Sequence, residues 1–93
     1  MADFTVRVEL HKPLPSDAYA NLHKAMKEIG FDRTIVVDGI KVQLPPAEYY
    51  GAKKLNVSSA LILVEVIVKQ IHSNYAITVH EFIARETAGL DPA

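Results

Sequence analysis

The dipeptide Asp38-Gly39, set between the β-branched run at 34–37 and the run at 40–44, constrains this chain more than any other feature. Asp-Gly accepts the positive φ angles of a type I′ turn, whose twist matches that of two paired strands. A two-residue loop also fixes register: Val37 faces Ile40 and Ile35 faces Val42, each pair on one side. Pro45-Pro46 ends the second arm, since proline cannot donate to a ladder. A hairpin is therefore expected in the middle of the chain, and the other elements must be arranged around it.

Upstream, Phe4, Val6, Val8 and Leu10 alternate with Thr5, Arg7 and Glu9, the pattern of a half-buried strand. Pro13 and Pro15 then break the chain before Ser16, a good N-cap with Asp17 behind it. Ala18, Leu22, Ala25, Met26 and Ile29 recur at helical spacing, and Gly30 supplies the stop, so the spacing predicts a helix over 17–29. Residues 47–55 read as a loop, with room for a short strand extension. The segment 57–71 is rich in β-branched residues, but its length, a cap at Asn56 or Ser58 and the Glu65/Lys69 spacing favour a second helix. Tyr75, Ile77 and Val79 alternate with Thr78 and His80 in a last strand. The tail, 83–93, has no periodicity.

The resulting order, β-α-β-β-α-β, is that of the ferredoxin-like fold: an α+β domain whose four-stranded antiparallel sheet carries both helices on one face. All 93 residues fall in one domain, with its core at about 4–82. The other sheet face is expected to show Arg7, Glu9, Lys41, Gln43, Thr78 and His80. No aromatic stands among them, which argues against base stacking in the manner of an RNA recognition motif; Tyr49, Tyr50 and Phe82 could still stack a base, but loop packing or a domain edge is the favoured reading for them.

Composition narrows the function classes. Cysteine is absent, which excludes disulfides, thiolate metal sites and a cysteine nucleophile. Ten basic against eleven acidic residues leave a net charge of −1, so a general DNA binder is not expected. The most apolar stretch, 60–68, is interrupted by Glu65 and far shorter than the roughly 20 residues of a membrane span. With no signal-peptide pattern after Met1, the cytoplasm is the expected location and no membrane partner is expected. The second helix is apolar over more than one stripe, a hint of self-association into a homodimer.

The four histidines, His11, His23, His72 and His80, show no metal-ligand spacing, and no cofactor motif occurs. Metal-free RNA cleavage needs a base for the 2′-hydroxyl, an acid for the leaving oxygen and a cation for the charge developing on phosphorus. Arg7, Glu9 and His80 supply those types on one expected face. His23 adds a second histidine on the first helix. Lys24 and Lys27 on that helix, with Lys53 and Lys54 in the following loop region, form the basic clusters that could meet phosphates.

Several strings carry a resemblance: 4–11 (FTVRVELH), Leu22-His23 with Met26 and Gly30-Phe31, Arg33-Thr34-Ile35, and Leu44-Pro45-Pro46-Ala47-Glu48-Tyr49. Together, over about 4–82, they resemble the GhoS-like family, the endoribonuclease antitoxins of type V toxin–antitoxin systems. The resemblance implies a ferredoxin-like fold similar to that of small CRISPR-associated nucleases, a homodimer, and cofactor-free cleavage of a toxin messenger RNA, a single-stranded RNA. The family's functional arginine on the first helix is replaced here by His23, and that helix holds no arginine. A non-enzymatic protein-interaction or ligand-sensing module, phage- or plasmid-associated, is the alternative expectation.

Overall fold

A computed structural model describes residues 1–93. The elements run β1 (Ala2–Leu10), α1 (Ala18–Glu28), β2 (Thr34–Val37), β3 (Ile40–Gln43), β4 (Glu48–Lys53), α2 (Val57–Ile71) and β5 (Tyr75–Phe82). The chain is thus an α+β domain with two helices and antiparallel sheets.

Its strands divide into a three-stranded sheet, β4-β1-β5, and the separate hairpin β2-β3, rather than one sheet of four strands. The segment expected as a loop is β4, which lies antiparallel to β1 with Val6 opposite Tyr49 and Phe4 opposite Gly51. The hairpin forms in the expected register, Val37 with Ile40 and Ile35 with Val42. Asp38 and Gly39 take φ values of 50° and 79°, as the turn requires. It meets β4 through a bridge between Asp32 and Tyr50, whose amides and carbonyls pair at 2.8 and 2.7 Å. The tail returns along β3: the Gln43 amide donates to the Asp91 carbonyl at 2.9 Å, and the Ala93 amide to that of Lys41 at 3.0 Å.

The alternation in β1 has the expected effect. Phe4, Val6, Val8 and Leu10 are buried while Arg7 and Glu9 are exposed. Leu22 and Met26 from α1, Val64 and Val68 from α2, and Phe31 and Tyr49 close over that face in one cluster. Each such side chain contributes about 1.5–3 kcal/mol on burial. Both helices therefore cover one face of the β4-β1-β5 sheet.

The helix ends differ in how well their signals acted. At the N-terminus of α2 the Asn56 carboxamide accepts from the Ser59 amide at 2.8 Å. At α1 the cap position is Asp17, not Ser16, and no side chain bonds there. Gly30, with φ 87°, ends α1: its amide donates to the Lys27 carbonyl and that of Phe31 to Met26, a Schellman arrangement. Glu65 does not pair with Lys69; its carboxylate accepts from the Tyr75 hydroxyl at 2.8 Å, because α2 packs against β5. No helix is long and apolar enough to cross a membrane.

Candidate nucleic-acid interface

The expected site residues fall on two different surfaces. Arg7 and Glu9 bond each other at 3.1 Å along β1, both about half exposed. His80 stands opposite Thr5 on the same open sheet face, one register step from Arg7, which faces Thr78. His23 is on α1, beneath the other face. A single constellation of His23, Arg7, Glu9 and His80 is therefore not formed, because the sheet lies between its members. His11 and His80 are also apart: Leu10 pairs with Tyr75 at one end of β5, whereas His80 is near the other. His11 instead meets Asn74, Nδ1 to Oδ1 at 3.2 Å.

Around His23 the structure gathers a groove of about 570 Å³ between the C-terminal half of α1, the 31–34 segment and the hairpin. His23 and Lys27 enter from α1 one turn apart. Arg33 comes from the segment that follows the Gly30 stop, and Lys41 from β3. Three cations thus line one opening, with Asp32 as the acidic residue beside them. Lys24 and Lys54 are exposed outside this groove, and Lys53 lies behind its wall, with Nζ 5.5 Å from the Phe31 ring centroid. Of the basic residues expected to meet phosphate, Lys27 alone is in the groove lining.

His23 is held from both sides. Its ring lies between those of Tyr19 and Tyr49, at centroid separations of 6.2 and 5.7 Å. Its Nδ1 is 2.5 Å from the Tyr49 hydroxyl, and Nε2 makes no hydrogen bond within the protein. Burial, and then the positive charge of Arg33, lowers the His23 pKa below 6.5, so the imidazole is neutral at pH 7. Burial holds the Tyr49 phenol protonated well above its ordinary range. A phenol can donate to Nδ1 or accept from it, so the pair can leave Nε2 as a proton donor or as a base. Arg33 is the complementary feature: its Nε is buried and has no hydrogen-bond partner. A guanidinium held this way can take an anion's oxygen.

Arg33, Lys41 and Tyr49 were not singled out for this role by pattern reasoning. Lys41 was expected on the open sheet face because β3 was expected in the main sheet. Arg33 and Tyr49 do, however, stand in the Arg33-Thr34-Ile35 and 44–49 strings that carry the family resemblance. The structure brings no three His, Asp or Glu side chains together as a metal site.

The open sheet face is not devoid of aromatics. Tyr50 on β4 and Phe82 at the end of β5 project there, with ring centroids 6.1 Å apart. The sequence offers both as stacking candidates but favours loop packing or a domain edge for them; β4 and β5 put both on the sheet face, opposite Thr5 and Asp3. Comparison with protein-family models and with curated proteins returns no match.

Proposed function

We propose that this protein binds and cleaves single-stranded RNA without a metal, as an antitoxin-like protein of the GhoS type, in a ferredoxin-like arrangement where β4 serves as the strand beside β1. The observation that carries this reading is the groove in which a neutral His23, oriented by Tyr49, faces Lys27, Arg33 and Lys41. Cations that converge around a neutral imidazole are what transfer at a phosphodiester needs. In that role His23 takes the 2′-hydroxyl proton and the 2′-oxygen bonds to phosphorus. Lys27, Arg33 and Lys41 hold the charged phosphoryl oxygens, and the 5′-oxygen leaves with a proton drawn from water. Tyr49 is a positioning residue, since it acts through the imidazole.

The test is incubation of pure protein with labelled single-stranded RNA in EDTA. Cleavage by the native chain and its loss in His23→Ala support the reading. Three phosphate contacts give a slope of log affinity against log salt of about −2. RNA that stays intact and shows no salt-sensitive binding overturns it.

The same reading places the protein in the cytoplasm as a homodimer. The apolar stripe on α2, where Ile62 and Val66 are 64% and 53% exposed, favours self-association. It equally favours the alternative of a non-enzymatic interaction module, in which case Ile62→Glu with Val66→Glu abolishes partner binding and His23→Ala does not.

A further inference from the structure

We propose that the open sheet face holds a slot for one nucleobase, next to the cationic groove. This rests on the reading of that groove as an RNA backbone site. A cavity of about 800 Å³ lies between the sheet, the hairpin and the tail, within the size range of small-ligand sites. Tyr50 and Phe82 stand on either side of β1, opposite Thr5 and Asp3 respectively. Their rings are tilted by 55°. The Arg85 guanidinium carbon is 4.5 Å from the Phe82 centroid and 5.8 Å from that of Tyr50, and the guanidinium also bonds the Thr5 hydroxyl. Two rings and a guanidinium plane, each half-buried on one surface, offer flat π contacts, which single-stranded bases use when they leave the stack.

The polar groups fit the same occupant. Asp3 accepts from the Tyr50 hydroxyl at 2.7 Å, which orients that ring, and the Asp38 and Glu86 carboxylates stand at the rim. Carboxylates accept from exocyclic amino and ring N–H groups of a base, whereas they repel phosphate. Charge therefore separates the two cavities: cations line the groove, and three acids with one arginine line the slot. Tyr50, Ile35 and Val36 line both, so the two are contiguous around the Tyr50 ring and the start of the hairpin. A nucleotide whose phosphate sits by Arg33 and Lys41 can place its base in the slot.

The test compares two fluorescein-labelled probes of equal charge, a hexameric oligoadenylate and an abasic ribose-phosphate hexamer, by anisotropy. The base-bearing probe should bind about five- to a hundredfold more tightly, the range that one base–aromatic contact is worth. Phe82→Leu, which keeps an apolar side chain at a half-buried position, should remove most of that difference and leave the abasic probe unchanged. Equal binding of both probes to the native chain, with salt dependence intact, overturns the slot and leaves the groove reading standing. Binding of neither probe overturns both. A drop in affinity for both probes in Phe82→Leu, at unchanged thermal stability, also counts against a base-specific role.

Discussion

Removing a single oxygen, in Tyr49→Phe, isolates the contact on which the groove depends. Tyr49 is 0% exposed and its ring is part of the core, so the substitution keeps the apolar packing and deletes only the hydroxyl. That hydroxyl is 2.5 Å from His23 Nδ1. A hydrogen bond of this kind contributes about 0.5–1.5 kcal/mol net. Nδ1 then faces a hydrocarbon edge, which puts the cost in the upper part of that range, at about 1 kcal/mol or slightly more. For 93 residues the unfolding entropy near the midpoint is about 0.2 kcal/mol/K, so Tm should fall by roughly 5–7 °C. Calorimetry reads the shift, and the ¹⁵N chemical shifts of His23 read the tautomer. With the phenol gone, the two ring nitrogens should move toward the values of a freely exchanging imidazole. A Tm within 1 °C of the native value, together with unchanged ¹⁵N shifts, would refute the claim that Tyr49 holds His23.

Other perturbations reach neighbouring parts of the structure. Because burial and Arg33 lower the His23 pKa, the folded state binds fewer protons than the unfolded state below 6.5. The stability that His23 contributes is thus present above pH 6.5 and lost as pH falls through its folded pKa; the native-minus-variant stability difference for His23→Gln should therefore fall with pH across that window in urea titrations. Arg33→Gln should raise the His23 pKa toward 6.5, followed by proton NMR. In Gly51→Ala the new Cβ would lie 2.6 Å from Phe31 Cδ1 and 2.9 Å from the Gly30 carbonyl oxygen, so a loss of about 1–3 kcal/mol is expected in denaturant unfolding. Asn56→Ala removes the bond to the Ser59 amide and should cost about 1 kcal/mol, while Asn56→Asp should restore it.

The hairpin, both helices, β1 and β5 were legible because each is specified locally, by a turn dipeptide, a cap or an unbroken period. Asp38-Gly39 settles its own register, and Asn56 marks the start of α2 without help from the rest of the chain. β4 was not legible for a corresponding reason. Its strand pattern is carried by Tyr49 and Gly51, and Gly51 is a poor strand former that is present because Phe31 and the Gly30 carbonyl press against it. That contact is between segments 20 residues apart and leaves no periodic trace. Moving β4 into the sheet displaced the hairpin, took Lys41 from the sheet face to the groove, and put Tyr50 where no aromatic was expected. The new positions of Lys41 and Tyr50 both follow from that one element.

The net charge of −1 argued against a nucleic-acid partner, but an average says little once the charges have positions. Arg7 is neutralised by Glu9 on the open face, and Asp3, Asp38 and Glu86 gather around the slot. Lys27, Arg33 and Lys41 converge instead on the groove, with Lys53 close behind Phe31. At physiological salt the screening length is about 8 Å, so a phosphate in the groove responds mainly to the charges that line it, three cations against Asp32 alone. A chain built this way should bind weakly to duplex DNA, which offers it no unstacked base, and more tightly to a single strand that can put a phosphate and a base on either side of Tyr50. Net charge excludes an indiscriminate polyanion binder; it leaves open one that requires a specific arrangement of backbone and base.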